Sequence, residues 1–184
     1  GNILAGMLVV DPLTQFMKQV LLGLTIFTAI ISIQSKFTQH VGEYFALLLL
    51  ATVGMMFLLS SENLLMIFVS LELISLSLYV MVAFKKESIQ SAEAALKYFL
   101  FGGMSAAFTL FGLSLIYGLT GEINLSGIAA KLSGSSTDPL FLVALVMTLI
   151  GFGFKIAAVP FHLWAPDAYQ GAPTPVASFI AAGS

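Results

Sequence analysis

Two ionisable residues lie inside apolar stretches of the sequence, where a charge is costly to bury. Lys155 falls within the apolar residues 140–160, and Glu72 lies almost at the centre of residues 63–84. In membrane proteins, ionisable groups at such positions occur mainly where protons, ions or polar substrates pass. A buried amine and a buried carboxylate in one chain therefore indicate ion transport.

A proline-rich run follows the lysine closely, from Val159 to Pro175. One continuous helix over residues 139–171 would be about 50 Å long, whereas the core of a bilayer is about 30 Å thick. Proline also lacks a backbone donor and disfavours helical geometry in the residue before it. We therefore predict a discontinuous helix that breaks near Pro160, with the Lys155 amine beside the break.

The composition is that of an integral membrane protein. Of the 184 residues, 59% are hydrophobic and only 9% are charged, whereas a soluble domain carries about a quarter charged residues. The net charge of −2 argues against nucleic-acid binding, which needs clustered basic surface. Cysteine is absent, which excludes iron–sulfur clusters and thiolate metal sites, and His40 and His162 are far apart. We expect neither a cofactor nor a metal site in this chain.

The apolar stretches predict an all-α, polytopic transmembrane helix bundle that forms a single membrane domain over residues 1–184. Each stretch approaches the length of about 20 residues that a helix needs to cross a bilayer. The chain does not begin with Met and ends within an apolar run, so we expect a fragment of a longer protein. We place the spans near residues 12–33, 42–60, 63–84, 90–118 and 139–160, with a broken continuation to about 171 and a sixth span that starts near 173.

The lysines outside the spans predict the orientation. Lys36, Lys85 and Lys86 fall in loops that alternating spans place on one side of the membrane. The opposite side has only Lys131, in the loop of residues 120–139. By the positive-inside rule the first side is cytoplasmic, or its matrix or stromal equivalent.

Two further ionisable residues are candidates for a proton relay, and each also has a structural interpretation. Lys97 follows Glu93 by one helical turn, so the two residues form a weak i,i+4 ion pair or Lys97 takes part in a proton relay. His162 can carry protons, because histidine titrates near neutral pH, or it can satisfy backbone groups that are freed around Pro160. We interpret Asp167 as a capping or turn residue.

The sole tryptophan, Trp164, suits a position at the membrane–water interface.

Three segments carry a resemblance to a known family. They are Ser70-Leu-Glu-Leu-Ile-Ser-Leu76, Ser91-Ala-Glu-Ala-Ala-Leu-Lys-Tyr-Phe99 and the long run from Gly151 to Pro175. Through them the chain resembles the antiporter-like, proton-translocating membrane subunits of NADH–quinone oxidoreductase (respiratory complex I), above all subunit N. The resemblance extends from about Asp11 to Ser184.

This resemblance implies a piece of a helical subunit of about fourteen spans. It implies that the counterparts of Glu72 and Lys155 form the central pair of a proton half-channel, with the counterpart of Lys97 near them. The chain would then be a translocase subunit without a redox centre, whose partner subunits use NADH, flavin, iron–sulfur clusters and quinone. Its partners would be other membrane subunits of complex I, above all the sister antiporter-like subunits, and the lipid bilayer. The residues of the matching segments favour the inner (plasma) membrane of a bacterium over a mitochondrial inner or thylakoid membrane.

Three alternatives remain open. A subunit of a multi-protein sodium/proton antiporter uses similar spans and buried charges without a redox partner, and a membrane-bound hydrogenase subunit lies between these two classes. A purely structural scaffold would use the buried charges of Glu72 and Lys155 only to orient helices.

Overall fold

The computed structural model describes residues 2–3, 7–132 and 138–183, and these residues are predominantly helical. A short antiparallel ladder precedes the helices, formed by β1 (Asn2–Ile3) and β2 (Leu8–Val9). The helices are α1 (Pro12–Ser35), α2 (Val41–Leu59), α3 (Leu64–Val82), α4 (Ile89–Thr120), α5 (Leu125–Leu132), α6 (Pro139–Lys155), α7 (Ala165–Gly171) and α8 (Thr174–Gly183).

Four helices, α1 to α4, are long and apolar enough to cross a membrane. Helices α6, with 17 residues, and α8, with 10 residues, are also apolar but shorter. The prediction of an all-α, polytopic membrane bundle is therefore confirmed. Each predicted span overlaps one helix, and the longest is α4 with 32 residues.

Local sequence signals set where the long helices begin. Four polar side chains accept hydrogen bonds from backbone N–H groups of the first turn, which otherwise lack partners. They are Asp11 for α1, Asn63 for α3, Ser88 for α4 and Asp138 for α6. Helix α4 ends at Gly121, whose φ of 64° lies in the left-handed region that glycine adopts readily.

Small residues let the helices approach closely. Helix α4 packs along α6, where Gly112 lies against Thr148 and Gly151 lies against Thr109. The Ser105 hydroxyl donates to the Gly151 carbonyl at 3.1 Å across the same interface. Such close packing is the main source of helix association in membranes, because lipid tails are as apolar as the helix surfaces.

The two lysine-bearing loops lie at the same end of the bundle. Lys36 lines a cavity of about 340 Å³ together with Lys85 and Lys86. At the other end, Asn63 pairs with Asn124 and the Val9 N–H donates to the Ser60 carbonyl at 2.8 Å. The loops therefore alternate between the two ends of the bundle, as successive spans require, although residues 133–137 lie outside the described part.

The predicted interruption of the helix over residues 139–171 is confirmed, and it begins earlier than Pro160. Helix α6 ends at Lys155, and residues 156–164 form turns before α7 starts at Ala165. The segment contains a left-handed residue, Ala157, with a φ of 50°, and a cis peptide bond before Pro160. The lysine is therefore the last helical residue before the break.

Candidate functional site

Helix α3 carries Glu72 in its middle, where the side chain is half-buried. Ser75 and Tyr79 follow it at spacings of three and seven residues, which places the three side chains on one face of the helix. Ser75 and Tyr79 are both buried. A stripe of polar groups thus runs along an otherwise apolar helix.

Lys155, the last residue of helix α6, contacts this polar stripe. Its half-buried ammonium donates a hydrogen bond to the Ser75 hydroxyl, and that hydroxyl donates to the Leu71 carbonyl at 2.6 Å. The ammonium also lies 5.7 Å from the centroid of the Phe154 ring. Because the helix ends at the lysine, the amine is held at the point where regular backbone hydrogen bonding stops.

Glu72 and Lys155 lie within electrostatic range of each other. They do not form a direct ion pair, because the ion pairs among the described residues join other side chains. Opposite charges in a medium of low dielectric constant interact strongly even when a hydroxyl separates them. The arrangement is a pair of ionisable groups that interact electrostatically without a direct ion pair.

Lys155 also lines a cavity of about 380 Å³ between α1, α2, α3, α4, α6 and α8. Ser75 and Tyr98 supply polar groups to its wall, and the rest of the lining is mostly apolar. A water molecule in the liquid occupies about 30 Å³, so the cavity has room for several. In membrane proteins, ionisable groups within spans almost always face the interior of the bundle or a water-filled cavity.

Lys97 belongs to a separate group of charged side chains. Its ammonium pairs with Glu93 at 2.8 Å on the same helix and with Asp167 at 3.1 Å on α7. In the described part of the chain, Glu72 is not among its ion-pair partners. The i,i+4 pair that the sequence suggested is therefore formed, and Asp167 adds a partner that sequence analysis had interpreted as a capping or turn residue.

His162 lies in the turns between α6 and α7, where its carbonyl accepts from the Ala165 N–H at 3.0 Å. Its ring nitrogen Nδ1 is buried and has no hydrogen-bond partner among the described residues. The ring therefore does not use this nitrogen to satisfy backbone groups that the break leaves free.

That task falls in part to Trp164. Its Nε1 donates to the Phe154 carbonyl at the end of α6, at 3.0 Å, and its ring stacks on Tyr98 with a centroid distance of 4.4 Å. The side chain is buried, with 3% of its surface exposed, so the interpretation as an interfacial residue was wrong. A tryptophan closes the break because it combines a large apolar ring with one donor.

Sequence analysis had not singled out Ser75 and Tyr79 as site residues. The signal that would have found them is the spacing of polar groups after Glu72 inside an apolar span. Among the described residues, no group of three or more histidine and acidic side chains is arranged to hold a metal ion.

Comparisons with known proteins show which family the chain belongs to. The sequence profile of the family described as "NADH:quinone oxidoreductase/Mrp antiporter, TM" matches residues 61–183. NADH-quinone oxidoreductase subunit N 2 of Acidobacterium capsulatum is 56% identical over 192 residues, which cover 100% of this chain and 38% of the relative.

Solved structures give the same result. Respiratory complex I from Thermus thermophilus contains a chain with a TM-score of 0.75 and 37% identity, covering 97% of this chain and 41% of that one. The Mrp complex from Dietzia sp. DQ12-45-1b contains a chain with a TM-score of 0.78 and 27% identity. The match covers 94% of this chain and 32% of the Mrp chain.

This chain spans about two fifths of the length of the relatives that it matches. The transmembrane family, its bacterial relatives and the four long apolar helices confirm the prediction of a multi-pass protein of the inner (plasma) membrane. The chain belongs to a family of antiporter-like membrane subunits, whose members occur in NADH:quinone oxidoreductases, as subunit N, and in Mrp antiporters.

Proposed function

We propose that this chain is part of a membrane-arm subunit of a proton-pumping NADH:quinone oxidoreductase, in which Glu72 and Lys155 form one proton half-channel. The observation that carries the proposal is the pair itself. Two opposite charges are half-buried and electrostatically coupled, and the amine lies at a helix break beside a cavity. The name of the Acidobacterium capsulatum relative supports the choice of complex.

The proposed mechanism uses the separation between the two charges. When Glu72 and Lys155 are close, each favours the charged form of the other; when they are apart, burial favours the neutral forms. A change in their separation or hydration would therefore make the lysine bind or release a proton. Moving one proton against 100 mV requires about 2.3 kcal/mol, which is comparable with the electrostatic energies of partly buried charges.

Other parts of the complex would supply the redox chemistry in this scheme. NADH, flavin, iron–sulfur clusters and quinone would be used by partner subunits, and this chain would contribute only proton transfer as a translocase subunit. Its direct partners would be other membrane subunits, including sister antiporter-like subunits. Lys97 and His162 would be additional relay residues, Lys97 through its ion pair with Asp167 on α7 and His162 through a ring nitrogen that has no hydrogen-bond partner among the described residues.

The test is a Lys155→Ala variant of the full-length subunit in the assembled complex, reconstituted into vesicles. We expect the complex to assemble and the protons moved per quinone reduced to fall sharply, because the relay amine is gone. Lys18→Ala is the matched control, since Lys18 lies on α1 outside the site. Normal pumping in the Lys155→Ala complex would overturn the relay assignment.

A second candidate is a subunit of a sodium/proton antiporter. It is favoured by the TM-score of 0.78 to a chain of the Mrp complex from Dietzia. Co-purification of the full-length protein with flavin and iron–sulfur subunits supports the redox complex. Sodium-dependent proton exchange without quinone reduction supports the antiporter, and activity that survives neutralisation of both Glu72 and Lys155 supports a scaffold.

A further inference from the structure

Ser75 is related to both charged residues, to Lys155 by a hydrogen bond and to Glu72 by its place on the same helix face. It lies one helical turn after Glu72 on the same face of α3, and it accepts the hydrogen bond of the Lys155 ammonium. The residue is buried, with 3% of its surface exposed, and its own proton is directed to the Leu71 carbonyl at 2.6 Å. The lysine is thus held by a neutral acceptor and not by the carboxylate.

A second hydroxyl lies next to this one. Tyr79 OH is within reach of the Ser75 side chain and within electrostatic range of Glu72. It is buried, and among the described residues no partner meets ordinary hydrogen-bond geometry. Gly102 of α4 leaves room for it, because a Cβ at that glycine would collide with the tyrosine hydroxyl.

Hydroxyl groups suit a place where a proton carrier must exchange partners. A serine hydroxyl has two acceptor lone pairs and one donor, and rotation about its C–O bond redirects the donor without moving the backbone. A direct buried ion pair would hold the lysine and the carboxylate together in one charged state. An intervening hydroxyl keeps the amine satisfied while the two charges stay apart.

We propose that Ser75 is a positioning residue for proton transfer, which holds the Lys155 amine close to Glu72 but out of a direct ion pair, with the Tyr79 hydroxyl as a neighbouring alternative partner. The inference rests on the proposed relay function of Glu72 and Lys155. It adds that loss of the Ser75 acceptor misplaces the amine and lowers pumping even though both charged residues are intact.

The same helix offers a matched control. Ser77 is also buried and its hydroxyl also donates to the carbonyl four residues earlier, that of Leu73, at 2.8 Å. A purely structural role would make the two serines equivalent, since such back-bonding is common for serine in helices. Only Ser75 receives the hydrogen bond of the lysine.

The experiment compares Ser75→Ala, Ser75→Cys, Ser75→Thr and Ser77→Ala in the full-length subunit of the assembled complex. The rate of proton pumping is expected to fall by up to about tenfold in the first variant, the factor by which a lost hydrogen bond to a charged group slows one proton transfer. Ser75→Cys keeps nearly the same volume with a much weaker acceptor, so it should also pump poorly. Ser75→Thr restores the hydroxyl and should recover most of the pumping, and Ser77→Ala should pump normally.

Variants made in the Lys155→Ala complex distinguish a failure of the positioning role from a failure of the proposed function. There, Ser75→Ala should cause no further loss, because the group that it positions is gone. Normal pumping in Lys155→Ala itself would overturn the proposed function. If that variant loses pumping while Ser75→Ala and Ser75→Cys both behave like Ser77→Ala, only the positioning role is overturned. Should Ser75→Ala fail to assemble, Ser75→Cys decides the same question.

Discussion

The Lys97 ammonium on α4 lies 3.1 Å from the Asp167 carboxylate on α7. This ion pair joins the fourth span to the short helix beyond the break, and it adds to the packing between the same two helices. The pair is partly open to its surroundings, because 40% of the lysine side chain and 43% of the aspartate side chain are exposed. Its geometry holds α7 in place, but its exposure limits what it contributes to stability.

We predict that Asp167→Asn changes the free energy of unfolding by less than about 1 kcal/mol, because partly exposed ion pairs rarely contribute more. Chemical denaturation of the solubilised complex measures this change. Glu93→Gln is the control, since it removes the other carboxylate that pairs with Lys97. A loss of several kcal/mol in Asp167→Asn alone would show that the pair is the main attachment of α7.

Trp164 is predicted to hold the two sides of the break together. Trp164→Phe keeps a ring against Tyr98 but loses the hydrogen bond to the Phe154 carbonyl, which should cost about 1 kcal/mol. Trp164→Ala removes the buried ring as well and should cost about 3–5 kcal/mol. Thermal unfolding of the solubilised protein distinguishes the two, and equal melting temperatures would contradict the role of the ring.

The helices and the break were predictable because their signals are local. Hydropathy over about 20 residues identifies a span, and proline acts on its own backbone and on the residue before it. The polar caps, such as Asp11 and Asn63, likewise act within one turn. The break starts right after Lys155, some residues ahead of the proline, because Ala157 adopts a left-handed conformation that composition does not reveal.

The contacts of the candidate site were not predictable in the same way. Lys155 and Ser75 are 80 positions apart, so their hydrogen bond depends on how α6 packs relative to α3. Periodicity assigns Glu72 and Ser75 to one face of a helix, but it does not say which helix that face meets. The same limit explains why Trp164 was assigned to an interface, whereas it packs on Tyr98 inside the bundle.

We predict that Gly102→Ala destabilises the protein, whereas Gly103→Ala does not. A Cβ at Gly102 meets the Tyr79 hydroxyl, so the ring or the helix must shift, at a cost of about 1–3 kcal/mol. A Cβ at Gly103 meets nothing within 4 Å, and alanine favours helix by about 1 kcal/mol over glycine. Melting temperatures of the two variants test the difference.

Because the collision at Gly102 displaces Tyr79, the same variant should also lower proton pumping in the assembled complex. The Gly103→Ala complex provides the baseline for this comparison. Pumping that is equal in both variants, together with a lower melting temperature for Gly102→Ala, would mean that the position of Tyr79 does not matter for transport.

The start of α1 depends on Asp11, which forms a reciprocal cap with Thr14. The Thr14 N–H donates to the Asp11 carboxylate at 2.7 Å, and the Asp11 N–H donates to the Thr14 hydroxyl at 3.1 Å. The first bond lowers the pKa of Asp11 below its ordinary value of 3.8. A depressed pKa means that the contribution of the charged cap is complete at neutral pH and is lost as the pH falls through the lowered value.

We therefore predict that Asp11→Ala increases hydrogen exchange of the amides of residues 13–15 several-fold at neutral pH, because the first turn loses an acceptor. Asp11→Asn keeps a neutral acceptor and should exchange more slowly than the alanine variant. As the pH falls below about 3.8, the natural chain should lose its advantage over Asp11→Asn at each matched pH, since its carboxylate becomes protonated. An advantage that never declines as the pH falls below 3.8 would show that the cap does not depend on the charge of Asp11.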